Sequence, residues 1–302
     1  MASVVARART LALADGRTLA YEEHGDPKGP VVMYFHGSPG CRIEWEAQTP
    51  PGLAERLGVR LIATDRPGLG LSDFQAKRQI KDWPNDVGHL ADALAIEKFV
   101  VLGYSGGVPY ALACGAFLPE KVTAVAVVSC TAPHDVPGLT DSLDPNSLRF
   151  LRLARDRPLI HRSVLRMLRV SARWTPSRFV NTVMKILPEA DRAVARRPEI
   201  AAGFVRTVLE STRRGPAGAT KDTELVVSPW GFDVSEVRKH VDLWQGEEDR
   251  NTSPAMGRYL AGRLPDCSAR FVPGEGHVSL FVNHIDEIVR QLISQRARPQ
   301  AG

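Results

Sequence analysis

The chain has 302 residues, roughly twice the ~150 of a usual domain, so it can bury a full core as two domains or as one domain carrying an insertion. A hydrophobic fraction of 43% and a charged fraction of 24% exclude wholesale disorder and fibrous repeats, and the length excludes a small disulfide-stapled scaffold. The formal net charge of +5 is mild but uneven: residues 131–230 hold 17 Lys and Arg against 10 Asp and Glu, which leaves the remainder slightly acidic.

In chain order, a hairpin is predicted from Thr10 to Ala14 and Thr18 to His24, around a turn at Asp15 and Gly16. Apolar runs at Val31–Phe35, Val59–Ala63, Phe99–Leu102 and Val122–Ser129 read as buried strands, with helical patterns over 85–96 and 107–117 between them. That alternation is the signature of βαβ units and a mostly parallel sheet flanked by helices. From Thr131 to about Ser228 the strand signal disappears, replaced by helical segments broken at Pro158, Pro176, Pro188, Pro198 and Pro216. It then resumes with a strand at Val241–Trp244, a helix from Pro254, a strand at Ala269–Val272 and a last helix through Ile285 to Ser294. The sequence therefore predicts an α/β core of residues 1–130 and 229–302, with residues 131–228 inserted as a helical cap. Residues Arg296 to Gly302 read as a disordered tail.

Arg152, Arg155, Arg162, Arg166, Arg169 and Arg173 punctuate apolar helical runs of the insertion, which reads as solvated helix faces with buried alkyl stems. No nucleic-acid motif accompanies them, so no nucleic-acid partner is expected. Cys41, Cys114, Cys130 and Cys267 show no CxxC or zinc spacing and read as free thiols. With no apolar stretch near ~18 residues and no secretory-type start, no membrane span is expected and a cytoplasmic location follows by default.

The chemistry centres on Gly103-Tyr104-Ser105-Gly106-Gly107, a G-x-S-x-G string directly after a buried strand and before a helix. A sharp strand-to-helix turn there would lift the serine Oγ to the sheet edge, and residues two positions away must be small for strand and helix to meet. A serine nucleophile needs a base, and the base needs an orienting carboxylate. His277 follows the strand Ala269–Val272 and Asp249 follows the strand Val241–Trp244, both at strand C-terminal ends on the sheet edge of Ser105. Glu247 and Glu248 share the loop of Asp249; the shorter side chain further from the strand is preferred, with Glu248 as the fallback. His24, His89, His240 and His284 read as structural, while His134 and His161 of the insertion could touch substrate. The loop His36-Gly37-Ser38-Pro39-Gly40 follows a strand as an oxyanion loop should. Pro39 lacks an N–H, so the donors are Ser38 or an adjacent glycine, together with Gly106.

With these features in order, the sequence resembles the α/β-hydrolase superfamily from about Leu11 to Ile293. The HG-x-P loop, Asp65-Arg66-Pro67-Gly68-Leu69-Gly70-Leu71-Ser72, the serine elbow, Pro229-Trp230-Gly231-Phe232 and the Asp249 and His277 loops carry the resemblance. It implies an α/β-hydrolase fold, a Ser105–His277–Asp249 triad, and Asp65, Arg66 and Ser72 as structural supports of the oxyanion loop. Epoxide hydrolases and dehalogenases of the superfamily carry an elbow aspartate, so Ser105 points instead to acyl carbon. Epoxide opening also wants lid tyrosines, and Tyr21, Tyr34, Tyr104, Tyr110 and Tyr259 all lie outside the insertion. Proline iminopeptidases share the HG-x-P loop but usually have Trp where Gly106 stands.

The expected activity is hydrolysis of a small-molecule carboxylic ester, small to medium and largely apolar, with no metal or cofactor. Tyr104, Trp230 and Val278 are expected to line the pocket under an apolar insertion wall, most of whose side chains form its own core. A proline iminopeptidase-type aminopeptidase, a lactonase, a thioesterase and a C–C hydrolase are the alternatives. A ligand-binding receptor with vestigial turnover represents another class, and oligomeric state, a homodimer included, is left open.

Overall fold

The computed structural model describes residues 8–296, so the tail expected to be disordered lies outside the described residues apart from Arg296. One sheet contains β1 (Arg9–Ala12), β2 (Thr18–Gly25), β3 (Val31–Phe35), β4 (Arg60–Thr64), β5 (Phe99–Tyr104), β6 (Val122–Val128), β7 (Val241–Gly246) and β8 (Cys267–Val272). Its spatial order is β1-β2-β4-β3-β5-β6-β7-β8, with β1–β2 and β2–β4 antiparallel and the other pairings parallel. The opening hairpin turns at Gly16, whose φ of 83° suits a residue without Cβ. The chain leaves β3 toward β4 and returns to place β5 on the opposite side of β3. At such a reversal of direction the two outgoing loops diverge and open a crevice at the strand C-termini.

Helices α1 (Glu44–Gln48), α2 (Leu53–Arg56), α3 (Trp83–Ala93) and α4 (Val108–Phe117) accompany the first strands. Between β6 and β7 run α5 (Pro145–Asp156), α6 (Pro158–Trp174), α7 (Pro176–Met184), α8 (Glu189–Ala195), α9 (Pro198–Ser211) and α10 (Ala217–Val227); α11 (Pro254–Ala261) and α12 (His277–Gln295) complete the chain. The prolines that break the helical pattern prove to be helix starts. Pro158, Pro176 and Pro198 stand in the first turn of their helices, where the missing N–H costs nothing.

Alternation along β3 explains why both faces of the sheet are covered. Val32 and Tyr34 join Trp45, Leu53, Phe281 and Ile288 in one apolar layer, whereas Met33 and Phe35 join Trp83, Val87, Ala111 and Leu260 in the other. The helices between β6 and β7 have small apolar clusters of their own, such as Ala172, Phe179 and Val208. They also seat closely on the rest: a Cβ on Gly203 of α9 would come within 2.2 Å of the Ala47 carbonyl oxygen of α1. Among the described residues no helix is long and apolar enough to cross a membrane. Cys41, Cys114, Cys130 and Cys267 are free thiols; the first three are buried, and burial pushes their thiols well above the usual range, which leaves them poor nucleophiles.

Candidate active site

At the C-terminal end of β5 the backbone turns sharply into α4, and Ser105 at the turn has a φ of 53°, rare for a residue with a side chain. The flanking glycines make the turn feasible. A Cβ on Gly107 would lie 2.1 Å from the Phe35 carbonyl oxygen, and one on Gly103 2.7 Å from Ala111 Cβ. The turn delivers Ser105 Oγ to 2.9 Å from His277 Nε2, and His277 Nδ1 lies 2.8 Å from Asp249 Oδ2. The three side chains predicted to meet are thus brought together.

Asp249 is fixed before it meets the imidazole. Its Oδ1 accepts the N–H groups of Asn251 and Thr252 at 2.8 and 2.9 Å, and its Oδ2 accepts the Thr252 hydroxyl at 2.8 Å. A carboxylate on so short a stem can close this turn on its own backbone. Glu247 and Glu248, by contrast, are exposed. His277 departs from the expected loop position, because it is the first residue of α12. Its N–H donates to Asp191 Oδ2 at 2.9 Å, while those of Val278 and Ser279 both donate to Asp191 Oδ1 at 2.8 Å. Asp191 belongs to α8, so a carboxylate from the inserted helices caps the helix that carries the histidine. Gly276 leaves room for this contact, since a Cβ there would come within 2.5 Å of that carboxylate. Burial alone would lower the His277 imidazole, but Asp249 at its Nδ1, with Asp191 and Glu44 further off, raises it above the ordinary histidine value.

On the other side of Ser105 stands the loop after β3. The Gly37 N–H is already engaged, donating to Glu44 Oε1 at 2.6 Å, and Ser38 follows it. Its backbone N faces Gly106: a Cβ on Gly106 would lie 2.9 Å from it. Ser38 Oγ donates to Asp222 Oδ2 at 2.7 Å. The Arg66 guanidinium grips Asp222 twice, at 2.8 and 2.7 Å, and donates to the carbonyls of His36 at 2.6 Å and Gly37 at 2.9 Å. Arg78 and the Tyr110 hydroxyl also donate to Asp222, each at 3.0 Å. Burial opposes ionisation of Asp222, yet Arg66 and Arg78 hold its carboxyl far below the usual range. Asp65 accepts from the Arg42 backbone N–H and guanidinium, each at 2.7 Å, and the Ser72 hydroxyl donates to the Asp65 carbonyl at 2.7 Å, so of the three expected supports it is Arg66 whose bonds reach the loop itself.

The cavity that opens onto Ser105 and His277 has a volume of about 430 Å³. Tyr104 and Val278 line it as expected, and the Tyr104 ring packs on the His277 ring at 5.4 Å. Trp230 is a correction. It is buried in the core beside Phe232, where its ring N–H donates to the Val226 carbonyl at 3.1 Å, and it does not reach the cavity. An indole N–H needs a partner when buried, and the end of α10 supplies one. The segment between β6 and β7 contributes more wall than expected: Phe150, Leu151, Leu168, Phe179 and Val183 of its helices, with Ile186 and Leu187 of the turn after α7, all line the cavity. His134 lines it too, whereas His161 is buried against Phe150 and Thr220. Burial, then Arg152 and Arg155, push His134 down to about 4, so it is neutral at ordinary pH.

Three residues escape sequence reasoning: Glu44, Asp191 and Asp222. Glu44 lines the cavity, its Oε1 accepting from Tyr34 Oη at 2.7 Å as well as from Gly37, and burial pushes its carboxyl up against those hydrogen bonds. Each acts on a partner whose proximity only the fold creates. Asp191 is 86 residues from His277 and Asp222 is 184 from Ser38.

Residues 32–291 match the model of the alpha/beta hydrolase family, and the chain belongs to that family. It is 32% identical over 121 residues to epoxide hydrolase B of Mycobacterium tuberculosis, a stretch covering 39% of this chain and 33% of that protein. It is 31% identical over 120 residues to a proline iminopeptidase of Arabidopsis thaliana, 39% of this chain and 31% of that one. The chain spans between about a third and about half the length of the curated relatives it matches. Among solved structures, a thermophilic esterase from Thermogutta terrifontis superposes with a TM-score of 0.68 at 19% identity, over 97% of this chain and 100% of that one. The shared fold is clear, and the activities named among these proteins differ.

Proposed function

We propose that this protein is a serine hydrolase that cleaves carboxylic esters through an acyl-enzyme, with the helices between β6 and β7 acting as a cap over the substrate. The observation that carries the reading is the continuous hydrogen-bonded chain from Ser105 Oγ through His277 to Asp249 at the floor of an apolar cavity. In this mechanism Ser105 Oγ attacks the acyl carbon while its proton passes to His277 Nε2, and Asp249 holds the resulting imidazolium. The N–H groups of Ser38 and Gly106 receive the oxyanion. His277 then gives its proton to the leaving alcohol, the acyl-enzyme forms, and water deprotonated by His277 releases the acid and restores Ser105.

The cavity lining contains no Lys or Arg, and Glu44 is its one carboxylate among the described residues. An anionic acyl chain would be desolvated there without a counter-charge, so the substrates are neutral and largely apolar. A second reading, amide cleavage beside a free amino group, draws on Glu44 as a carboxylate in the cavity; the commitment of its Oε1 to Gly37 and Tyr34 disfavours it. A panel of aryl esters of increasing acyl length run beside N-terminal prolyl amides separates the two. Ester turnover with an optimum at short to medium chains is expected; faster turnover of the amides would transfer the assignment to a peptidase.

A further inference from the structure

Helix α6 is apolar on two opposite sides. Leu165 and Ala172 are buried, and Val164 and Leu168 line the cavity. At 100° per residue, Ile160, Met167, Val170 and Trp174 fall together on the other side, with Leu159 at its margin. These five are 51%, 68%, 57%, 72% and 72% exposed in that order. Among the described residues only Phe74 and Phe117 join them as exposed large hydrophobics, so the stripe is concentrated on one helix rather than scattered over the surface.

Its charge is equally one-sided. The helix carries Arg162, Arg166, Arg169 and Arg173 and no carboxylate. The same helical geometry sets the four arginines on one flank, between the buried side and the exposed stripe. Among the described residues none of them forms an ion pair; Arg169 donates to the Leu209 carbonyl and Thr212, and Arg173 lies over the Trp174 ring at 5.4 Å. The solvated-face reading of the sequence fits the exposed Arg166 and Arg173, while Arg162 and Arg169 are half-buried; it leaves the apolar stripe beside them unexplained.

We infer that this face of α6 docks on an anionic lipid surface. A stripe of Ile, Met, Val and Trp flanked by arginines is what lies in the plane of a membrane interface, the apolar side chains sunk to the acyl boundary and the guanidinium groups at the level of the phosphates. A second copy of the chain fits poorly, because pairing the two helices would bring the exposed Arg166 and Arg173 of both copies, and no carboxylate of α6, to one contact. Docking would place a lipid surface one helix diameter, about 10 Å, from the cavity that the inner face of α6 lines. Apolar solutes dissolved in the bilayer would then be concentrated next to the cavity.

The test uses the full chain with vesicles of phosphatidylcholine and of phosphatidylcholine mixed with phosphatidylglycerol, scored by co-sedimentation. Turnover of a water-soluble ester, or circular dichroism if no ester is cleaved, serves as the check on folding. Binding to the mixed vesicles at least tenfold stronger than to the neutral ones is expected, weakening as salt is raised. Arg166→Gln with Arg173→Gln should weaken it by about fivefold per arginine, and Met167→Gln with Trp174→Ser should abolish it, with folding unchanged in both. Failure of the wild type to bind the mixed vesicles, or binding indifferent to both pairs of substitutions, would overturn the inference. So would self-association lost in Met167→Gln with Trp174→Ser, or equal binding to polyglutamate that only the arginine pair weakens, which would assign the face to a second copy or to an acidic protein.

Discussion

The two sides of the candidate site are held in different ways. Ser105 is positioned by its own neighbours: a buried strand, glycines at 103 and 107 that let strand and helix meet, and a backbone forced to positive φ. The groups around it are positioned from afar, by carboxylates on the inserted helices. Asp191 of α8 caps the helix that begins at His277, and Asp222 of α10 fastens Ser38 and, through Arg66, the carbonyls of His36 and Gly37. The helices between β6 and β7, which line the cavity, thus also hold His277 and the loop after β3.

Ser105→Ala should lower ester turnover by about a million-fold without loss of fold, read by steady-state kinetics beside a thermal melt. Asp222→Asn tests the clamp on the oxyanion loop. It leaves Arg66 and Arg78 short of a buried charge, and a fall in kcat of about 10²- to 10³-fold with a small change in KM is expected, comparable to losing one oxyanion donor. Ser38→Ala removes the hydroxyl contact alone and keeps the backbone N–H, so it should cost much less. Equal losses in the two variants would show that Ser38 Oγ carries the whole effect.

The clamp on the base predicts smaller changes with a pH signature. Because the carboxylates raise His277 and the mechanism needs it neutral, kcat/KM should fall with decreasing pH through a value above the reference of ~6.5. Asp191→Asn removes one of the charges that favour the imidazolium, so this acid limb should move to lower pH, with turnover at its plateau reduced by about tenfold or less. A limb that stays in place in the variant would separate Asp191 from the electrostatics of His277 and leave it a helix cap only, costing about 1 kcal/mol of stability when truncated to Ala.

How much of this was legible in the sequence follows from the range of each interaction. Strands β3, β5, β6 and β7 announce themselves as apolar runs because both faces of the sheet are covered. The elbow is legible because its constraint is local. Asp249 is preferred over Glu248 on the shape of one loop, and in the structure it closes a turn on Asn251 and Thr252. Trp230 fails as a pocket residue because adjacency in sequence to a motif does not decide which way a ring turns; the nearest acceptor for its N–H lies in the core. Asp191, Asp222 and Glu44 leave no sequence signal, since an acidic residue on a helix reads as solvated until the fold brings a buried partner to it. The outer stripe of α6 is hidden for the opposite reason, apolar residues in a helix being read as core.

In the proposed mechanism Ser105, His277 and Asp249 act as one unit on acyl carbon. Intact-protein mass spectrometry after incubation with a serine-directed aryl phosphonate tests it most directly, with the rate followed against pH. One adduct, mapped by peptide digestion to Ser105, absent in Ser105→Ala and forming more slowly as His277 protonates, is the predicted result. Undiminished labelling of Ser105→Ala, or rapid ester turnover by a wild-type protein that takes no adduct, would contradict it.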